Sequence, residues 1–157
     1  MPIKIGGKYI SGPNVETIVF PRGNGETIAL KLGSIMDYKH FEEHVKEPEA
    51  PSITHVNGTI ERDTNDEDYK KHVAEVAELR MAWMVITSLQ ATEGFEWEAV
   101  DYEVPSTWPK FKDELRESGF NDIEVGKIII GMMKANSLHE EYLEEARKRF
   151  TLSQATL

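Results

Sequence analysis

The chain has no cysteine among its 157 residues, which excludes disulfides, thiolate nucleophiles and cysteine-based zinc sites. Its stability must then come from an apolar core, and a chain of this length can bury one without covalent staples. Long apolar runs are missing too: no stretch approaches the about 18 residues that a membrane-spanning helix needs. Residues 1–10 also lack the basic-then-apolar pattern of a secretory leader. No membrane partner is expected, and the chain reads as a cytosolic product. Basic residues are outnumbered 18 to 28, and the formal charge of −10 opposes phosphate backbones and anionic lipids. Nucleic acid is not an expected partner either.

The first third is rich in β-branched residues bounded by glycine and proline. Residues 14–20 (NVETIVF) and 26–32 (ETIALKL) flank Pro21-Arg22-Gly23-Asn24-Gly25, a hairpin signal with glycines free to take positive φ. In the second run Ile28, Leu30 and Leu32 alternate with Thr27, Ala29 and Lys31, so one face is expected to be buried. Residues 37–46 place Tyr38, Phe41 and Val45 at helical spacing behind Asp37 as a cap. Glu47-Pro48-Glu49-Ala50-Pro51 cannot continue that helix and reads as a linker. Asn57-Gly58 between residues 53–56 and 59–61 predicts a second small hairpin with a type I′ turn.

From there the pattern is helical. Residues 63–68 (DTNDED) offer caps and first-turn carboxylates for a long helix over 66–90, apolar almost all round from Met81 to Ile86. Residues 95–104 (FEWEAVDYEV) suit a strand or an ordered loop equally. Ser106 or Thr107 is expected to cap a helix carrying Pro109, with Trp108, Phe111 and Leu115 on one face and Gly119 at its end. Val125, Ile128, Ile129, Met132 and Met133 predict another helix. Ser137-Leu138-His139-Glu140 fits a capping box, and Leu138, Tyr142, Ala146 and Phe150 form a stripe on the last helix.

Little of this resembles a reaction centre. His40-Phe41-Glu42-Glu43-His44 fits H-x-x-E-H, in which two imidazoles one turn apart bind zinc and the glutamate acts as base. A third ligand is not evident, so the reading is a solvated helix face, with no metal and no cofactor expected. Asp63, Asn65 and Glu67 start like a calcium loop, but Asp68 stands where glycine is needed and Ala74 where the closing glutamate is needed. Gly23-Asn24-Gly25 lacks the strand-to-helix context of a phosphate loop. No serine lies in a nucleophile elbow, and no catalytic residue is assigned. Arg147-Lys148-Arg149 complements the dipole at a helix end. Trp97, Tyr102 and Trp108 surround a weakly patterned segment and are the expected partner-binding residues.

The order FPRGNGETIALKL, EPEAP, LRMAWMVITSL, ATEGFEWEAVD, STW, ESGFNDIEV and KANSL resembles the small tail assembly chaperones of long-tailed bacteriophages, over about residues 15–150. Trp83, Ser88-Leu89, Trp97, Trp108, Ser118-Gly119-Phe120 and Asn136-Ser137-Leu138 carry most of the resemblance. It implies a non-enzymatic protein of the host cytoplasm that binds the helical tape-measure protein or other tail components during assembly. It also implies absence from the finished particle and, in many members, a longer frameshifted form. Met81, Met84, Met132 and Met133 are compatible with adaptable apolar contacts. A homo-oligomer is compatible with this reading. The rivals are a structural virion protein, such as a head-to-tail connector or tail component, and a phage-encoded protein-binding regulator. More distant is a metallohydrolase built on His40, Glu43 and His44.

The expected fold is α+β: an N-terminal β-hairpin lobe with one short helix, then a C-terminal bundle of about four helices. The expected division is a β-rich lobe over 1–62 with a linker near 47–51, a helical domain over 63–150 and a flexible tail over 151–157.

Overall fold

The computed structural model describes residues 2–155. The chain is α+β, with small antiparallel hairpins in its N-terminal part followed by four helices. Strands β1 (Lys4–Ile5) and β2 (Lys8–Tyr9) form one hairpin, β3 (Val15–Pro21) and β4 (Thr27–Gly33) a second, and β5 (Ser52–Thr54) and β6 (Ile60–Arg62) a third. The short helix α1 (Lys39–His44) lies between the second and third. The later helices are α2 (Glu67–Leu89), α3 (Phe111–Glu117), α4 (Asp122–Ala135) and α5 (Glu140–Ala155), with a 3-10 turn over Pro105–Lys110 leading into α3.

Two compact units divide the chain, and each is discontinuous in sequence: Met1–Met36, Thr87–Phe95 and Asp122–Leu157 make one, Asp37–Ile86 and Glu96–Asn121 the other. The expected boundary at 62/63 falls inside the second unit.

In the first unit the β3–β4 register pairs Ile18 with Leu30 and Glu16 with Leu32, so the even-numbered residues of both strands share one face. That face carries the buried Phe20, Leu30 and Leu32, while Val15, Val19, Ala29 and Lys31 on the other are exposed. Helix α4 packs against it. Gly131 permits the approach, because a Cβ there would lie 2.5 Å from Ile18 Cδ1 and 3.0 Å from Leu32 Cδ1. Asn24, at φ 62°, and Gly25, at φ 75°, turn the chain between the strands. Thr92 closes part of the β4 edge: its Oγ1 accepts from the Lys31 N–H and donates to the Lys31 carbonyl, both at 2.8 Å.

The junction of α4 and α5 departs from the capping-box expectation. Ser137 adopts φ 58°, Leu138 N–H donates to the Met133 carbonyl at 2.8 Å and Ser137 N–H to that of Lys134 at 3.1 Å. These are the two bonds of a Schellman motif, so Ser137 ends α4 instead of starting α5. His139 caps α5 instead, with Nδ1 accepting from the Tyr142 N–H at 3.3 Å. The stripe Leu138, Tyr142, Ala146 and Phe150 is also not core: α5 has no buried residue and continues through Thr151 to Ala155.

In the second unit Asp66 caps α2, its carboxylate accepting from the Tyr69 N–H at 2.9 Å. From Ala82 to Ile86 every residue of α2 is buried. Phe41, Trp83, Trp108, Phe111 and Leu115 supply the large buried side chains, with Phe41 and Trp83 ring centroids 5.5 Å apart. The expected type I′ turn at Asn57-Gly58 is absent. Only Gly58 has positive φ there, and bonds from Gly58 N–H to the His55 carbonyl and from His55 N–H to the Thr59 carbonyl make a longer, bulged turn.

Candidate functional site

Residues 95–104 form an ordered loop, not a strand. The Glu114 carboxylate on α3 accepts from the backbone N–H groups of Glu98, Ala99 and Val100, which places a negative charge where three donors converge. Thr107 does not cap a helix. Its hydroxyl accepts from the Asp101 N–H at 2.8 Å and directs its single proton at the Val104 carbonyl, at 2.7 Å, with that of Asp101 at 3.0 Å. The Trp108 indole N–H donates to the carbonyls of Asp101 and Tyr102, at 3.1 and 3.2 Å. An Asx turn, Glu103 N–H to Asp101 Oδ1 at 2.9 Å, then fixes where Glu103 leaves the loop.

Glu103 reaches α1. Its Oε1 lies 3.2 Å from His40 Nε2 and its Oε2 2.9 Å from His44 Nε2. The two imidazoles stack with centroids 4.1 Å apart, and the Tyr102 ring stacks on His40 at 3.8 Å. Trp83 Nε1–H donates to His40 Nδ1 at 2.9 Å, and His44 Nδ1–H donates to the His40 carbonyl at 2.8 Å. Each imidazole side chain is only 22% exposed. The two histidines of the H-x-x-E-H segment therefore belong to a half-buried cluster and not to a solvated face. Its carboxylate is Glu103, whereas Glu43 of the motif is exposed and outside the cluster.

The three expected partner-binding residues do not form one surface. Trp108 is fully buried in the core. Tyr102 is half-buried against His40, and Trp97 is half-buried elsewhere in the loop. Besides Val104 at the end of this loop, exposed apolar side chains lie on other elements, among them Ile3, Ile5, Tyr9 and Ile10 in and beside the β1–β2 hairpin, and Leu138 and Phe150 on or beside α5, at 52% and 66% exposure. Along α5 they alternate with both signs of charge, including an Arg147–Glu144 pair at 2.9 Å.

Sequence reasoning missed Glu103 because nothing local ties it to α1, 59 positions or more away in the chain. An acidic residue flanking an aromatic in a segment of undecided structure was the only signal. Among the described residues no helix is long and apolar enough to cross a membrane. Comparison with protein-family models, with curated proteins and with solved structures finds no match to the chain.

Proposed function

We propose that this chain is a non-enzymatic tail assembly chaperone of a long-tailed phage, binding apolar helical segments of a tape-measure protein or another tail component in the host cytoplasm. The observation that carries this reading is the last helix. Its stripe has the spacing of a buried face, yet Leu138 and Phe150 are exposed and no residue of α5 is buried. Side chains at such spacing fit a groove or helix on a partner. The resemblance in residue order supplies the identity of that partner. A net charge of −10 is consistent with a factor that keeps an apolar client in solution.

The test is co-expression with the tape-measure protein of the same phage. Soluble client recovered with the chain, and lost with Leu138→Glu/Phe150→Glu, is the expected result. Client that stays insoluble, or is retained equally by the double variant, speaks against it. The exposed apolar β1–β2 hairpin favours one alternative, a structural virion component whose hairpin joins a neighbouring subunit. Fixed-copy presence in purified particles distinguishes that alternative.

A further inference from the structure

We infer that His40, His44 and Glu103 bind a single divalent transition-metal ion, zinc foremost, which would clip α1 to the loop over 95–104. Hydrogen bonds around the cluster fix what each ring can offer. His44 commits its Nδ1–H to the His40 carbonyl at 2.8 Å, so its Nε2 lone pair points outward. That is the outer-shell arrangement which orients an imidazole for metal ligation. The atom facing this lone pair is Glu103 Oε2 at 2.9 Å, also an acceptor. Two acceptors at this separation repel unless a proton or a metal cation stands between them. A proton on His44 Nε2 is one way to satisfy that pair, and a metal ion held by both rings and the carboxylate is the other.

The donor atoms have the right number, type and placement. One ligand atom from each of His40, His44 and Glu103 lies within 4.8 Å of the others, a spread that a four-coordinate ion can draw in by small side-chain rotations. Two imidazoles at i and i+4 on a helix with one carboxylate form a mixed nitrogen and oxygen set, which suits zinc, cobalt or nickel over calcium or magnesium. The carboxylate comes from a loop that the Asx turn, Thr107 and Trp108 hold in place. Glu103 itself is 65% exposed, which leaves a side open for a water as fourth ligand. His40 is the more constrained ring: Trp83 donates to its Nδ1, so its Nε2 carries the proton that now bonds Glu103. Ligation through His40 Nε2 therefore moves the ring's single proton to Nδ1 and breaks the indole bond, so that Trp83 must turn to another acceptor.

The test is calorimetric titration of tag-free protein with zinc chloride, alongside cobalt(II) absorption, for the native chain, Glu103→Gln, His44→Ala and His55→Ala. The native chain is expected to bind one equivalent and to show the d–d bands of a four- or five-coordinate nitrogen and oxygen site. Glu103→Gln changes an exposed side chain and should preserve the fold. It is expected to weaken binding at least as much as the about 10- to 100-fold lost when groups beside metal ligands are altered. His44→Ala should abolish binding, and His55→Ala, at the separate His55–Glu61 pair, should leave it unchanged. A native chain that takes up no zinc, showing a cluster held by a proton alone, overturns the proposal. So does binding that survives in Glu103→Gln and His44→Ala.

Discussion

Trp83 and His40 are joined by a hydrogen bond from the indole Nε1–H to the imidazole Nδ1, at 2.9 Å, at the edge of a cluster of buried rings. Trp83 is 1% exposed and lies within the stretch of α2 that is buried on every side. Trp83→Ala is expected to cost about 3 to 5 kcal/mol, as large-to-small core changes do. Trp83→Phe keeps most of the apolar volume but removes the donor, and should cost about 1 to 3 kcal/mol. Urea denaturation of the two variants checks the order, and near-native midpoints for both would overturn the core assignment.

Two glycines of α4 should respond with opposite signs. Gly131→Ala brings a methyl group against the side-chain ends of Ile18 and Leu32, which must shift, and with the gain in helix propensity set against this it is expected to destabilise by about 1 kcal/mol. At Gly126 an added Cβ meets nothing within 4 Å, so Gly126→Ala should stabilise the helix by about 0.5 to 1 kcal/mol. Thermal melts of both variants measured together test the packing of α4 on β3 and β4.

Ser137 holds a left-handed conformation that costs a residue with a Cβ about 1 to 2 kcal/mol. Ser137→Gly relieves this and is expected to raise stability by about 1 kcal/mol or less, since glycine also gains freedom in the unfolded chain. If Ser137 instead capped α5, the same change would lower stability by a few tenths of a kcal/mol. The sign of the shift in the denaturation midpoint separates the two roles.

Phe150 is 66% exposed, and Phe150→Glu should alter stability by no more than about 0.5 kcal/mol, as exposed substitutions commonly do. Its expected effect is on client binding alone. A large loss of stability would show that Phe150 is packed and that the exposed face of α5 is not a docking surface.

The elements carried by local chemistry were legible in the sequence. The β3–β4 hairpin, the Asp66 cap and α4 follow from turn glycines, a capping carboxylate and 3.6-residue periodicity. Periodicity alone does not say what covers a stripe, and on α5 it leaves a face with no buried residue. Ser137 fits both a capping box and a Schellman end, and its positive φ with the N–H bonds of Ser137 and Leu138 back to α4 makes it the latter. Asn136 shows what sequence cannot reach: its Oδ1 accepts from Ile35 N–H at 2.7 Å and its Nδ2 donates to Ser88 Oγ at 3.1 Å, joining residues remote in the chain. The pairing of Glu103 with His40 and His44 is of the same kind, as is the division of each unit into separate sequence segments.

The most direct measurement is affinity capture of the tagged chain from cells producing the whole phage, with mass spectrometry of the retained proteins and of purified particles. The account predicts capture of a long helical tail protein before particles mature and no copies of this chain in the finished virion. Presence in purified virions at a fixed copy number, with no tail protein captured beforehand, would contradict it.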